Sequence, residues 1–344
     1  MSVTESFWVA PTIGWSYVRL VGKDVVKFLN NFCTADLKRL VPGQTRELML
    51  LNPKGQVFAW GTGILGDNTL SLMLSGPTAD QVIQHLDAYL FSEDVRLSPW
   101  PVRAWLIGRV PNSEDSSQTS RELVGSATET IAPILGQLVC DDSGADPSHS
   151  QSVAPWSVWQ APGGAAWLIT SDKYEMSEIL DEASPWRNAL ASAGPWLSHT
   201  VSDYHRWRIS ARVPIVGQDT TATTLPQELL RDDFAISFTK GCYLGQETVA
   251  RLDAMGHVNW NLRTLTLDRD WPKDLTSPTS SAPNEEVTIR TSQQTVGQLT
   301  SLGGGKALAR LRSSAVEEFQ RSGGAHWQLF VNETPLPHKI SQIV

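Results

Sequence analysis

Short apolar runs, broken at close intervals by turn residues, constrain this chain most. They fit strands joined by tight connections, with helices set between hairpins. Residues 14–21, 47–51, 56–64 and 69–74 read as strands, joined by Asn52-Pro53-Lys54-Gly55 and Gly66-Asp67-Asn68 turns. Val25, Phe28, Leu29 and Phe32 fall at helical spacing over 22–32, and Asp24 near the start suits the helix dipole. Pro77 can open a second helix whose core face is Val82, Ile83, Leu86 and Leu90. Residues 95–110 and 156–170 return to strand character. Asp172 and Glu175 make a capping box for a helix through Met176, Ile179 and Leu180. Helices interspersed with hairpins predict an α+β fold, not a doubly wound sheet.

From Asn259 on, the pattern changes. Residues 262–267, 287–290, 295–302, 306–311 and 327–331 are short strand candidates with glycine-rich turns, and 271–286 is a proline-rich loop. Such spacing predicts a small β-barrel. Residues 111–120 and 141–152 are polar and serine-rich, as surface insertions are. The expected division is a region 1–258, with insertions near 111–152, followed by a barrel over 259–344.

The 344 residues carry a net charge of −8, which argues against a general nucleic-acid or membrane-surface binder. Any anionic ligand therefore needs a local basic cluster. Ser202 can cap a helix running through Trp207 to about Ala211, and Arg208 and Arg212 would share a face if that helix reaches them. They make such a cluster or a solvated helix face. The three cysteines, Cys33, Cys140 and Cys242, are far apart and form no Cys-x-x-Cys pair. That disfavours a disulfide scaffold or a self-contained metal site and fits a reducing compartment. The first ten residues lack the pattern of a signal peptide, and no apolar run reaches the ~20 residues of a membrane helix. The cytoplasm is the expected location.

The densest chemistry lies in Lys240-Gly241-Cys242-Tyr243-Leu244-Gly245-Gln246-Glu247. Glycines permit positive φ or close approach of a ligand. Lys240, two residues before Cys242, could lie near the sulfur and favour thiolate. The alternative is a cysteine packed in a glycine-bounded turn. A Cys–His nucleophile pair is a third class: His199, His205 and His257 lie nearest in sequence, but their spacing does not favour a dyad.

This octapeptide, continued by Thr248-Val249-Ala250-Arg251, closely resembles the hallmark of YgfZ-type folate-binding proteins. These are relatives of the aminomethyltransferase (T protein) of the glycine cleavage system. Gly22-Lys23-Asp24, Phe28-Leu29, Thr34-Ala35-Asp36, Asn52-Pro53-Lys54-Gly55-Gln56-Val57 and Val296-Gly297-Gln298-Leu299-Thr300-Ser301 extend the resemblance in order. Asp36 is a turn residue or a ligand contact. The resemblance implies two interleaved α+β lobes plus a small C-terminal β-barrel, arranged around a central folate pocket. It implies tetrahydrofolate or a one-carbon derivative as ligand. It also implies a part in assembling or repairing iron–sulfur clusters, with iron–sulfur enzymes or cluster-assembly proteins as partners. Carried onto this sequence, Cys242 and Lys240 are the chemical pair. Arg208, Arg212, Glu228, Gly241, Tyr243, Gly245, Gln246, Glu247 and Arg251 are the folate-binding candidates, with no metal site, nucleic acid or membrane expected.

Two departures bear on chemistry. Where many relatives have Glu-Ala-Gly before a proline, this chain has Ser210-Ala211-Arg212. A serine cannot replace the carboxylate that would hold a pterin's amino-pyrimidine edge, unless Glu228 or Glu247 supplies one. Where the aminomethyltransferases carry an Asp-Asp pair, this chain reads Phe58-Ala59-Trp60. Those side chains cannot transfer a proton, so a folate-dependent aminomethyltransferase or demethylase is the alternative function, not the first.

Overall fold

The computed structural model describes residues 7–12, 14–109, 156–162, 165–171, 201–271, 282–283, 285–292, 294–322 and 326–344. Cys140, both polar insertions and the helix expected from Asp172 lie outside the described residues. The chain divides into two compact units, one of Met1–Leu48 and Ala59–Thr200 and one of Met49–Phe58 and Val201–Val344. Each unit is thus assembled from discontinuous segments. Among the described residues no helix is long and apolar enough to cross a membrane.

The strands of the first unit are β1 (Phe7–Pro11), β2 (Trp15–Val21), β3 (Thr45–Leu51), β4 (Val57–Gly66), β5 (Thr69–Ser75), β6 (Arg96–Pro99), β7 (Val102–Arg109), β8 (Trp156–Gln160) and β9 (Ala166–Ser171). They form a five-stranded sheet in the order β3-β4-β5-β2-β6 and a four-stranded sheet in the order β1-β7-β9-β8. The connecting tip of β3 and β4, Met49–Phe58, belongs to the second unit. Central β5 buries Leu70, Leu72, Met73 and Leu74, which lie on both faces of the pleat. Trp60 and Trp167 are fully buried, with the Trp15 ring 5.7 and 4.8 Å from theirs. Their indole N–H groups donate to Glu47 Oε1 at 2.8 Å and Thr62 Oγ1 at 3.3 Å, the partners buried indoles need.

Among the described residues of this unit the helices are α1 (Val25–Asn30) and α2 (Ala79–Asp87). α1 is shorter than the expected 22–32. Gly22 sits at φ +142°, with its backbone so close to the Asp94 carbonyl that a Cβ would lie 2.0 Å from the oxygen. That junction is a strand-to-helix turn, not helix. Asp24 accepts from the Asp94 N–H at 2.9 Å and makes no cap bond to its own helix. α2 begins after Thr78, which forms a capping box with Gln81, and it buries Val82 and Leu86.

The second unit carries β10 (Trp260–Leu267), β11 (Val287–Arg290), β12 (Thr295–Gly303), β13 (Lys306–Arg312), β14 (Gln328–Val331), β15 (Thr334–Pro335) and β16 (Ile340–Ile343). They form one antiparallel sheet in the order β15-β14-β11-β12-β13-β10-β16, curled as a half-barrel. The register shifts at Thr266/Leu267, Ile289/Arg290 and Leu299/Ser301, irregularities of the kind that bend a strand. Its concave core includes Leu265, Val287, Ile289, Val296, Leu299, Leu311 and Leu329. The unit's helices are α3 (Val201–Ser210), α4 (Asp232–Ala235), α5 (Gln246–Met255) and α6 (Ser313–Ser322), with a 3₁₀ turn at Pro226–Leu229. α6 lays Ala315, Val316 and Phe319 onto the half-barrel core.

Candidate functional site

Two motifs far apart in the chain interlock within the second unit. Gly55 closes the Asn52–Gly55 turn at φ +79°, and Gly245 precedes α5 at φ +78°. A Cβ on Gly245 would lie 2.8 Å from both the Asn52 carbonyl oxygen and Gly55 Cα. A Cβ on Gly55 would lie 2.6 Å from Thr248 Cβ and 2.8 Å from the Gly245 carbonyl oxygen. Each glycine is thus required twice, for its left-handed backbone and for the approach of the other. Thr248 Oγ1 donates to the Lys54 carbonyl at 3.0 Å, across 194 residues of chain. Gln227 Nε2 donates to the Val249 carbonyl at 2.8 Å and joins the 3₁₀ turn to the same helix.

The signature is therefore a loop followed at once by a helix. Gln246 is the first residue of α5, and its Oε1 accepts the Tyr243 N–H at 3.1 Å. Glu247 lies exposed in the first turn, where a carboxylate complements the helix dipole. Arg251 follows four residues later and is exposed. Cys242 is a free, exposed thiol, whereas Cys33 is fully buried, with its Sγ 3.4 Å from the Ala35 carbonyl oxygen. The Lys240 ammonium lies over the Tyr243 ring, 5.0 Å from its centroid, a cation–π contact that holds the loop's first and fourth residues together. Gly241 differs from Gly245: its φ is not positive, and a Cβ there would meet nothing within 4 Å. Asp36 acts as a turn residue, accepting from the Lys38 N–H at 3.1 Å and pairing with Arg39 at 3.1 Å.

The expected basic face of α3 does not form. The helix ends at Ser210, and Arg212 takes a left-handed φ of +53°, so Arg208 and Arg212 do not share a helical face. Arg208 is fully buried and ion-paired to Asp219 at 2.9 Å, with both side chains excluded from solvent. Its guanidinium also donates to the Val213 carbonyl, Ser301 Oγ and His205 Nδ1. Asp219 accepts in addition from the Ile215 N–H, Thr300 Oγ1 and Ser301 Oγ. This saturated network ties α3 to β12, and its cation is spent on its own chain. His205 is pushed down to about 4, first by burial and then by the Arg208 charge.

Glu228, on the 3₁₀ turn, is buried, and its Oε2 has no hydrogen-bond partner. Burial pushes its carboxyl up, opposed by Arg310, whose Nη2 stands 3.8 Å away. Arg310 and Arg312 both lie over the Trp260 ring, at 5.4 and 4.9 Å. Arg212 is half-buried and held down to about 10 by burial and then by Arg263 and Arg231. Sequence reasoning did not identify Asp219, Arg231, Arg263 or Arg310. Their partners sit on other elements, and no local spacing links them.

Phe58 and Ala59 lie near the start of β4, followed by Trp60 with its indole bound to Glu47. Among the described residues, no group of three or more His, Cys, Asp or Glu side chains could hold a metal ion.

No protein-family model matches the chain. It is 26% identical over 303 residues to a chloroplastic protein of Arabidopsis thaliana, covering 84% of this chain and 60% of that one. It is 24% identical over 283 residues to the tRNA-modifying protein YgfZ of Blochmanniella pennsylvanica, covering 81% and 77%. Its fold matches the crystal structure of glycine cleavage system aminomethyltransferase T from Bartonella henselae, with a TM-score of 0.65 at 12% identity, over 99% of this chain and 86% of that one. The chain is similar to YgfZ proteins in sequence and has the aminomethyltransferase fold. A YgfZ-type signature thus sits here on a mixed α+β scaffold with a curled C-terminal sheet, as the resemblance implies.

Proposed function

We propose that this chain binds tetrahydrofolate, or a one-carbon derivative of it, and supports iron–sulfur cluster assembly or repair in the cytoplasm. The observation that carries the reading is the interlock of the Asn52–Gly55 turn with the Gly245–α5 junction, beside the exposed Cys242. Two sequence-distant motifs are held in one rigid piece, and the thiol next to them is left open.

The residues fit such a ligand. Glu228 offers a buried carboxylate oxygen that accepts no hydrogen bond and stands 3.8 Å from Arg310, suited to the N–H edge of a pterin. The Tyr243, Gln246 and Glu247 stretch supplies a ring, an amide and a carboxylate, and Arg251 and Arg212 supply positive charge for the glutamate tail. Gly241 leaves open space where a side chain would project. Folate supplies a one-carbon carrier; the chain's own residues bind and orient it. Lys240 and Cys242 are the groups available for a transient sulfur or partner contact. The bacterial relatives are named for tRNA modification. Support of an iron–sulfur enzyme acting on tRNA would need no nucleic-acid surface on this acidic chain. The aminomethyltransferase fold is what favours the alternative, group transfer, and Phe58 and Ala59 speak against it.

Cys242→Ser tests the thiol. The variant should fold, quench its tryptophan fluorescence with tetrahydrofolate as the wild type does, and fail to restore iron–sulfur enzyme activity in cells lacking the protein. Alkylation at neutral pH should label Cys242 before Cys33. Full complementation by the serine variant, or preferential labelling of Cys33, would remove the chemical role.

A further inference from the structure

We propose that Arg19 is the centre of an oxyanion-binding site on the five-stranded sheet of the first unit, one that takes a phosphate or carboxylate group. The sheet register builds it. Arg19 on β2 pairs with Ser71 on β5 and with Ser98 on β6. Directly paired residues of antiparallel strands lie on one face, with Cβ atoms about 4.5–5.5 Å apart. Arg19 therefore stands between two hydroxyl side chains. Val21, two residues on, pairs with Thr69 and Arg96, so a third hydroxyl and a second guanidinium share that face. Arg96 is diagonal to Arg19, a spacing that long side chains bridge. Val18 and Leu20 alternate to the opposite face and are fully buried there.

This row lacks what Arg208 has. Arg19 is half-buried, and its Nε is buried with no hydrogen-bond partner. Among the described residues neither Arg19 nor Arg96 makes an ion pair. Asp24, past the end of β2, accepts from the Asp94 N–H instead. The Arg19 guanidinium lies over the Trp100 ring, 5.9 Å from its centroid. The Trp100 N–H donates to the Tyr17 carbonyl at 3.0 Å, which holds that ring's backbone beside β2. A guanidinium stacked on an aromatic face keeps its N–H edge for oxygen acceptors. Withdrawing an N–H from water without an acceptor is unfavourable, and more so when it carries charge. An oxyanion would satisfy both the charge and the free N–H, and the flanking hydroxyls can donate to its remaining oxygens. Phosphate and carboxylate both match a guanidinium fork two oxygens at a time.

The test is a thermal-shift titration of the full chain with inorganic phosphate, replacing chloride at constant ionic strength. Wild type should gain about 2–5 °C in a saturable manner. Arg19→Gln should weaken the apparent phosphate affinity by at least about tenfold. Ser98→Ala, at an exposed hydroxyl, should weaken it by roughly two- to fivefold. The Ser98→Ala/Arg96→Gln double variant changes only exposed positions, and it carries the test if Arg19→Gln does not fold. Arg321→Gln, on exposed α6 surface, should respond as wild type. In arginine-selective nitrogen–proton spectra, the Nε–H signal lost in Arg19→Gln should move with phosphate at the same midpoint. Glutarate in place of phosphate identifies the ligand: equal affinity means a carboxylate suffices, and affinity at least about tenfold weaker means a phosphate group is required. The site does not rest on the folate reading, and its test stands whether or not folate binds. No saturable effect of either anion in wild type, or an undiminished one in Arg19→Gln or in the double variant, overturns the proposal.

Discussion

Arg208 and Arg212 stand one helical turn apart in sequence and meet opposite fates. Arg208 is sealed from solvent, paired with Asp219 and hydrogen-bonded through all three guanidinium nitrogens. Arg212 turns away through a left-handed backbone and, among the described residues, makes no ion pair. A cation whose partners are all internal fixes architecture: it binds α3 to the 213–219 loop and β12. Proximity in sequence is thus no guide to shared duty, and counting basic residues in a segment would have merged the two.

The sharpest way to break this contrast is Asp219→Ala. It strands a buried guanidinium and should cost about 3–5 kcal/mol of unfolding free energy in urea titration. Arg212→Ala should stay within about 1 kcal/mol of wild type. Similar losses at both positions would erase the distinction.

A smaller effect should appear with pH. His205 has its folded pKa held at about 4, below the ordinary 6.5, because it is buried and Arg208 donates to its Nδ1. The folded state therefore binds the proton less readily than the unfolded chain. The stability contribution is complete above pH 6.5 and is lost as pH falls towards 4, on the order of 3 kcal/mol at most. His205→Gln, which cannot titrate, should flatten that part of the stability–pH curve; an unchanged curve would mean the histidine is not what limits acid stability.

The two signature glycines give the mildest comparison. Gly245→Ala forces a side chain into the Asn52 carbonyl and a left-handed φ, and should cost about 1–3 kcal/mol. Gly241→Ala meets open space and should cost no more than about 0.5 kcal/mol. If Gly241→Ala nonetheless weakens tetrahydrofolate binding, the open space at that position belongs to the ligand.

Much of the scaffold was legible in the sequence. Leu70-Ser71-Leu72-Met73-Leu74 and the turns around it mark β4 and β5, because period-two pleating and turn chemistry are local rules. The signature's glycines read as a loop, whereas the chain enters α5 at Gln246 and leaves it at Gly256, whose φ of +79° is the stop signal. α6 carries a weaker local signal, the apolar stripe of Ala315, Val316 and Phe319. The motifs of the candidate site could each be found, but their interlock could not. Which glycine meets which is decided by tertiary packing across the chain, as is the choice of Asp219 for Arg208.

The proposal to test is that the chain binds folate and transfers no aminomethyl group. The direct measurement follows both in one sample: calorimetric titration with tetrahydrofolate, then ammonia release from an aminomethylated lipoyl carrier. The account predicts saturable binding, weakened by Arg251→Glu, with ammonia release no faster than in a buffer control. Turnover above that control would contradict the reading of Phe58 and Ala59, and absence of saturable binding would contradict the folate assignment itself.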